Sequence, residues 1–297
     1  NPEERAALDM ALEMAKKEHA DLVIGTDPDS DRIGVAVRNN NGEMVLLNGN
    51  QTGVLLTDYL LKNSDLKGDE FIAYTIVSSD MFAEVAKAYN TDFEICLTGF
   101  KHIASLIRDN EGKKQFIGGG EESYGYMIGD FVRDKDALTS ALLFCDLAGE
   151  AKASDKSVMD VMADLYKQHG FYLEHLISLV KKGKEGKELI ANMMTELRNN
   201  PPKMLGGEEV VRIDDIKTGV SKNLISGEET KLNLPSSNVL QFFTKGGSKI
   251  SARPSGTEPK IKFYFSVKQP WNDALSYEQQ EKILNNQINQ IVEDLGI

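Results

Sequence analysis

The chain has 297 residues, 41% of them hydrophobic, and carries a formal net charge of −12 at pH 7. This length suits two or three domains, and the negative charge argues against nucleic acid or an anionic membrane as the main partner. Two cysteines, Cys96 and Cys145, give neither a disulfide framework nor a metal-ligand spacing, and no apolar run is long enough to span a membrane, so we expect a cytoplasmic protein with reduced thiols.

The first residues have the sequence pattern of a helix start. Asn1 is the expected N-cap, Pro2 the first helical position and Glu4 the N3 residue, and the apolar spacing predicts a helix over residues 3–18. Because the chain opens inside such an element, we expect it to be a fragment. Two short apolar strands, at residues 21–25 and 33–37, follow and enclose a polar turn. This opening piece is the end of a domain rather than a whole one.

Strands and helices then alternate, which predicts βαβ units and a mostly parallel sheet in an α/β fold. The strands are expected at residues 71–77, 93–97 and 115–118, and the helices at residues 81–89, 100–108, 137–152 and 158–168. After Gly170 the pattern changes to a smaller α+β domain with a mostly antiparallel sheet. Its helices end near residues 199 and 295, and its strands are expected at residues 209–213, 239–243, 249–252 and 262–267.

The first candidate site is the turn from Thr26 to Arg32, which lies between two apolar strands. Its three carboxylates, Asp27, Asp29 and Asp31, can converge on one hard cation, and magnesium prefers such oxygen ligands. An EF-hand is excluded because Arg32 stands where that loop needs glycine. A solvated acidic turn is the alternative, although Arg32 suits a site where an anion meets a metal.

The second candidate is the glycine-rich segment of residues 118–125. Glycines let the backbone approach a ligand, and the carboxylate of Glu121 can accept hydrogen bonds from paired sugar hydroxyls. A dinucleotide-binding fingerprint is excluded because Ser123 occupies its last glycine position. An ordinary glycine-rich loop is the alternative.

The third candidate is the segment Arg253-Pro254-Ser255-Gly256-Thr257-Glu258-Pro259-Lys260. It combines a guanidinium, two hydroxyls, an ammonium and a glycine within a turn that two prolines stiffen. Such a turn can cradle a phosphate while the arginine makes bidentate contacts. A plain surface turn is the alternative.

Together and in this order, the three segments resemble those of the α-D-phosphohexomutase superfamily of phosphoglucomutases and phosphomannomutases. Its metal loop has the pattern D-P-D-x-D-R, its sugar loop G-E-x-S and its phosphate loop R-P-S-G-T-E-P. Two further segments are similar to family patterns. They are Thr98-Gly99-Phe100-Lys101, which matches T-G-[FW]-K, and Arg133-Asp134-Lys135-Asp136, which is similar to R-E-K-D.

The resemblance implies a four-domain enzyme, of which this chain would hold residues 1–47 as the end of domain 2, residues 48–170 as domain 3 and residues 171–297 as domain 4. In the family, domain 1 brings a phosphorylated serine in an S-H-N-P context. No Ser-His-Asn-Pro occurs in this sequence. We therefore expect the chain to lack the phosphoserine domain and to be inactive in isolation.

The implied activity is an intramolecular phosphoryl transfer that interconverts hexose 1-phosphate and hexose 6-phosphate through a phosphoserine and a hexose bisphosphate. The resemblance implies that Asp27, Asp29 and Asp31 bind Mg²⁺ and that Arg32 stabilises the transferring phosphoryl group. It gives Lys135 a proton-transfer or phosphate-contact role, with a pKa that neighbouring cations would depress. The implied substrate-binding residues are Thr98, Lys101, Glu121, Ser123, Arg253, Ser255, Gly256, Thr257 and Lys260.

The G-E-E-S form created by Glu122 favours glucose, although dual-specific, pentose-phosphate and bisphosphate-synthase relatives share it. Two other classes stay open. A haloacid-dehalogenase-like phosphatase also places D-x-D after an apolar strand, and a non-catalytic phosphosugar-binding module would need only the binding loops. The oligomeric state is not specified by the sequence.

Overall fold

The computed structural model describes Pro2, residues 4–181 and residues 183–297, with no account of the Lys184 side chain. It divides into two units at the junction of His169 and Gly170. The predicted N-cap, Asn1, lies outside the described residues. Helix α1 (Arg5–Lys17) begins later than predicted, with Glu4 at the N-cap and no side-chain cap bond.

The first unit opens with a three-stranded antiparallel sheet, β1-β2-β3. Its strands are β1 (Leu22–Thr26), β2 (Ile33–Arg38) and β3 (Met44–Leu47). The apolar face of α1 presents Leu8, Leu12 and Ala15 to this sheet, where they pack with Val23 and Ala36. The helical spacing of α1 and the tight turn between β1 and β2 therefore place the acidic segment at one end of a buried hairpin.

A second sheet of the first unit has the strand order β5-β4-β6-β7 and is parallel except for β7, which confirms the predicted mostly parallel sheet. Its strands are β4 (Glu70–Thr75), β5 (Asp92–Cys96), β6 (Gln115–Gly120) and β7 (Tyr126–Ile128). The helices of this part are α2 (Gly49–Lys62), α3 (Met81–Ala88), α4 (Phe100–Asn110), α5 (Ala137–Ala153) and α6 (Val158–His169). One core forms where α4 packs through Phe100, Ile103 and Ile107 onto Phe71 and Phe116 of the sheet.

The second unit has one antiparallel sheet of eight strands, in the order β12-β11-β10-β13-β14-β15-β8 with β9 paired to β10. The strands are β8 (Phe171–Val180), β9 (Met204–Leu205), β10 (Glu208–Asp215), β11 (Val220–Asn223), β12 (Glu229–Lys231), β13 (Leu240–Thr244), β14 (Lys249–Pro254) and β15 (Lys260–Gln269). The helices are α7 (Gly183–Asn199) and α8 (Tyr277–Leu295). Leu284, Ile288 and Ile291 of α8 are buried, as their spacing predicts.

The expected fold class, α/β followed by an α+β unit with a mostly antiparallel sheet, is confirmed. The division of the first unit at residue 47 stays a prediction. Of the helices that the structure describes, none combines the length and the hydropathy that crossing a membrane requires.

Candidate functional site

The acidic turn between β1 and β2, residues 26–32, is called the metal loop below. Asp27 is 4% exposed, and its Oδ1 accepts hydrogen bonds from the N–H groups of Asp31 and Arg32, both at 3.0 Å. Ser30 adopts a left-handed conformation with φ of 55°, which tightens the turn. As a result, Asp27, Asp29 and Asp31 each offer a carboxylate oxygen within 4.8 Å of the other two.

The donor set of the metal loop fits a hard cation. Asp27 Oδ2 and Asp31 Oδ1 are buried and accept no hydrogen bond from any residue that the structure describes. They lie 3.2 and 3.5 Å from Nε of Arg32. Burial raises the pKa of Asp27, but the N–H groups of Arg32 and Asp31 outweigh it and lower the pKa overall. Three converging carboxylates, with two buried oxygens that accept no hydrogen bond among the described residues, form a site that a divalent cation would stabilise.

The loop between β6 and β7, residues 121–125, is called the sugar loop. Its backbone is joined to the metal loop by an isolated antiparallel bridge between Arg32 and Gly125, and the N–H of Ile33 donates to the carbonyl of Tyr124 at 3.1 Å. Tyr124 has φ of 68°, a conformation uncommon for a residue with a side chain. The structure therefore brings two of the sequence-predicted segments together in the first unit.

Glu121, the predicted sugar ligand, already has a partner inside the protein. It is 8% exposed, and its Oε1 accepts the N–H of Gly99 at 2.6 Å, at the start of α4. This bond ties the sugar loop to the Thr98–Lys101 segment. Thr98 Oγ1 is buried and has no hydrogen-bond partner among the described residues, whereas Lys101 is exposed. Ser123 is half-buried.

Two residues that sequence reasoning missed hold the other side of the sugar loop. Oε2 of Glu122 accepts hydrogen bonds from the hydroxyls of Thr75 at 3.1 Å and Ser78 at 3.3 Å. The Glu122 N–H donates back to Ser78 Oγ at 3.1 Å. Burial, followed by the charge of Glu121, raises the pKa of Glu122. The available signal was a pair of hydroxyls three residues apart at the end of a buried strand.

Lys135 lies beside the metal loop. Its Nζ is 2.7 Å from Asp31 Oδ2 and 3.5 Å from Asp134 Oδ1, and 5.4 Å from the centre of the Phe100 ring. A Cβ on Gly125 would lie 2.3 Å from Lys135 Cδ, so this glycine provides the space in which the lysine stem lies.

The predicted depression of the Lys135 pKa is wrong for this structure. Burial does lower it, but the hydrogen bond with Asp31 and the charges of Asp134 and Asp31 outweigh burial and raise the pKa overall. The neighbours are carboxylates rather than the expected cluster of cations. Asp136 of the same segment caps α5, with its side chain accepting from the N–H groups of Leu138 and Thr139, and the Ala137 N–H donates to the Ser30 carbonyl at 3.0 Å.

The predicted phosphate loop, residues 253–260, connects β14 and β15 in the second unit. The Ser255 N–H donates to the Lys260 carbonyl at 2.8 Å, which closes the turn. Ser255 Oγ accepts the N–H groups of Thr257 at 3.4 Å and Glu258 at 3.2 Å. Gly256 and Thr257 are exposed at the tip.

The two cations of the phosphate loop differ in their partners. Arg253 is half-buried, and its Nη1 donates to the Tyr264 hydroxyl at 3.4 Å. Lys260 forms an ion pair with Glu258 at 2.8 Å, and this bond lowers the pKa of Glu258. Arg253 therefore has a neutral partner when an anion arrives, whereas the anion would have to compete with the Glu258 carboxylate for Lys260.

Comparison with protein families matches two parts of the first unit. Residues 1–42 match alpha/beta/alpha domain II of the phosphoglucomutase/phosphomannomutase family, and residues 48–169 match alpha/beta/alpha domain III. The two matches follow one another in family order and together cover more than half of the chain. The chain belongs to this family, within the α-D-phosphohexomutase superfamily. Membership favours the mutase interpretation over the haloacid-dehalogenase-like alternative.

Curated relatives extend the likeness into the second unit. A phosphoglucomutase of Staphylococcus epidermidis is 37% identical over 286 residues, which cover 96% of this chain and 52% of the relative. A phosphoglucomutase of Staphylococcus aureus strain USA300 is 40% identical over 270 residues, which cover 91% of this chain and 49% of the relative. The chain thus spans about half the length of the curated relatives it matches.

Solved structures support the fold. The open form of pp63/parafusin, a phosphoglucomutase from Paramecium, aligns with a TM-score of 0.66 at 16% identity, covering 100% of this chain and 51% of that one. A phosphoglucomutase/phosphomannomutase family protein from Burkholderia thailandensis aligns with a TM-score of 0.60 at 15% identity, covering 99% and 51%. At these identities the likeness is one of fold.

Proposed function

We propose that this chain forms part of a phosphohexomutase that interconverts hexose 1-phosphate and hexose 6-phosphate through a phosphoserine and a bisphosphate intermediate. Glucose is the proposed sugar because Glu122 gives the sugar loop its G-E-E-S form. The supporting observation is the backbone bridge between Arg32 of the metal loop and Gly125 of the sugar loop. Through this bridge, one rigid piece of the first unit would present both a cation and the groups that bind a sugar.

Asp27, Asp29 and Asp31 would hold Mg²⁺, since all three supply oxygen ligands and two of their buried oxygens accept no hydrogen bond among the described residues. When bound, the ion would supply positive charge that stabilises the transferring phosphoryl group. The guanidinium of Arg32, 3.2 Å from Asp27, would steady that group from the same loop. Lys135 would contact phosphate as a cation, since its raised pKa keeps it protonated at neutral pH.

The sugar would be oriented by Glu121, Ser123 and Thr98. A carboxylate has about four acceptor positions, so Glu121 can hold Gly99 and still accept from sugar hydroxyls. The buried Thr98 hydroxyl, without a partner among the described residues, would gain one from the substrate. Lys101, exposed on the first turn of α4, would add charge for the phosphate group.

The phosphate that does not react would be bound by the phosphate loop. Arg253 would provide the charge-assisted contact, Ser255, Gly256 and Thr257 would line the turn, and Lys260 would contribute after leaving Glu258. These contacts would act by orientation rather than on the reacting bond.

The phosphate assignment is tested by measuring the affinities for inorganic phosphate and glucose 6-phosphate with isothermal titration calorimetry. Arg253→Ala should weaken binding by about 1.5–3 kcal/mol, the range for a charge-assisted hydrogen bond. Lys245→Ala is the matched control, because Lys245 is an exposed cation in the turn at the other end of β14. Equal affinities for the Arg253 variant and the control would refute the phosphate role.

The activity is tested by coupled measurement of glucose 6-phosphate formation from glucose 1-phosphate, with magnesium and a bisphosphate primer. A full-length protein that contains this chain should convert glucose 1-phosphate to glucose 6-phosphate, and Asp27→Ala should remove most of that activity. The 297-residue chain alone should not turn over, because it has no serine in the Ser-His-Asn-Pro context. Primer-dependent turnover by the chain alone would show that its nucleophile lies within these residues.

A further inference from the structure

The ammonium of Lys135 pairs with one of the two carboxylate oxygens of Asp31. Asp31 Oδ2 is 2.7 Å from Lys135 Nζ, while Asp31 Oδ1 is 3.5 Å from Arg32 Nε and accepts no hydrogen bond among the described residues. The side chains of Lys135 and Asp31 are only 20% and 24% exposed. The charge of Lys135 is therefore poorly screened where a cation would bind.

The location of Lys135 is fixed by packing as well as by charge. Its stem fills the space that Gly125 leaves open, 2.3 Å from where a Cβ would lie, and its Nζ lies over the Phe100 ring. The same Gly125 bridges to Arg32 of the metal loop. Lys135 is thus held against the metal loop by three separate contacts, and its ion pair with Asp31 is part of the local structure.

We propose that Lys135 is an internal competitor for the metal loop, whose ammonium holds Asp31 and weakens the binding of a divalent cation. This inference rests on the proposed metal role of Asp27, Asp29 and Asp31. The loop has three carboxylates, and Arg32 and Lys135 pair with two of them. A dication bound through Asp31 Oδ1 meets the like charge of the ammonium on Oδ2 of the same carboxylate, which weakens its binding.

Sharing of the Asp31 carboxylate has a functional consequence. A cation on this carboxylate weakens its hold on the Lys135 ammonium, which then becomes available to an anion, so cation binding should favour phosphate binding beside the loop. Because coupling between two binding sites is reciprocal, phosphate should in turn favour the cation. Lys135 would therefore keep the metal loop only weakly occupied until an anionic substrate arrives.

The test is Mn²⁺ affinity of the chain, measured by electron paramagnetic resonance with Mg²⁺ competition. Lys135→Met keeps the stem over Gly125 and removes the charge, so it should bind Mn²⁺ at least about tenfold more tightly, as expected from removing a close like charge. Lys135→Arg keeps the charge and should stay within about threefold of the wild type. Lys135→Gln provides a second neutral variant, and circular dichroism checks the folding of each.

Lys114→Met is the matched control. Lys114 also pairs with two carboxylates, Asp92 at 2.9 Å and Glu94 at 3.7 Å. It directly precedes β6, whereas the sugar loop follows the other end of that strand. Its loss should leave Mn²⁺ affinity unchanged, which separates a local effect from the change in net charge.

Two results would overturn the inference, and they differ in what they mean for the proposed function. If Asp29→Asn abolishes Mn²⁺ binding but both neutral Lys135 variants bind no more tightly than the wild type, the metal loop stands and the competitor role is wrong. If Asp29→Asn changes nothing in the wild-type or Lys135→Met background, the cation does not bind in this loop. Both proposals then fail.

Discussion

Gly49 lies against the backbone of the sugar loop. It is the first residue of α2, directly after the Asn48 cap, and it is buried. A Cβ at this position would lie 2.1 Å from the Glu122 carbonyl oxygen and 2.8 Å from the Tyr124 nitrogen. We therefore expect Gly49→Ala to move the sugar loop away from α2.

The cost can be worked from these contacts. Ordinary Cβ contacts begin at 3.4 Å, so the carbonyl oxygen of Glu122 must move by more than an ångström. Neither partner is a flexible side chain, and a capping box between Asn48 and Gln51 fixes the helix start. Overpacking costs about 1–3 kcal/mol, and this site should lie in the upper half of that range, at about 2–3 kcal/mol of unfolding free energy.

Urea unfolding followed by far-UV circular dichroism measures this loss. Gly149→Ala is the control, since Gly149 lies exposed within α5 and a Cβ added there would meet no atom within 4 Å, and it should gain about 0.5–1 kcal/mol. The single tryptophan, Trp271, lies in the second unit. Its fluorescence therefore reports the unfolding of that unit and shows whether the shifted transition belongs to the first unit. If Gly49→Ala unfolds within about 0.5 kcal/mol of the wild type, a typical effect of a neutral surface change, the packing argument is refuted.

Three further outcomes are expected. Ser276→Ala removes the capping box of α8 and should cost about 1 kcal/mol in urea unfolding. Thiol titration at pH 8 should show one fast thiol, lost in Cys145→Ser, because Cys145 is exposed whereas burial raises the pKa of Cys96 to about 12. Because the folded pKa of Glu122 is raised above 4.5, its contribution to stability should fall as pH rises through that pKa. Glu122→Gln should flatten the pH dependence of the urea midpoint, and an unchanged slope would contradict the assignment.

Sequence patterns indicate most of the elements, but they miss one helix and one strand whose burial follows no regular period. Helix α2 was missed because it is buried around most of its surface, from Gly49 to Leu61, and contains two glycines. Such a helix has no polar stripe to reveal its period. Strand β8 was missed because its burial does not alternate. Its pairing with β15 joins residues about 80–100 positions apart, such as Lys260 and Val180, which local pattern cannot show.

The residue types of the candidate site can be predicted from the sequence, whereas only some of the contacts between them can. The convergence of the metal loop follows from spacing, because three carboxylates at alternate positions of a tight turn lie close whatever surrounds them. The partners of the sugar loop do not follow from spacing. Glu121 reaches Gly99 across 22 residues, and Glu122 reaches Thr75 across 47. These contacts depend on the parallel pairing of β4 with β5 and with β6, which brings the ends of distant segments together.

The pKa of Lys135 can be predicted only when the charged groups around it are known. Its predicted low pKa assumed surrounding cations, yet the same Asp31 that suits a metal is 2.7 Å from its ammonium. A carboxylate cluster that can hold a cation will also hold a nearby lysine in its charged form, since both effects come from the same negative potential. The carboxylate cluster that favours a cation site therefore also favours a raised pKa of Lys135. A phosphate that reaches Lys135 meets an ammonium that these carboxylates favour, so charge stabilisation is the chemistry that the surroundings of this residue support.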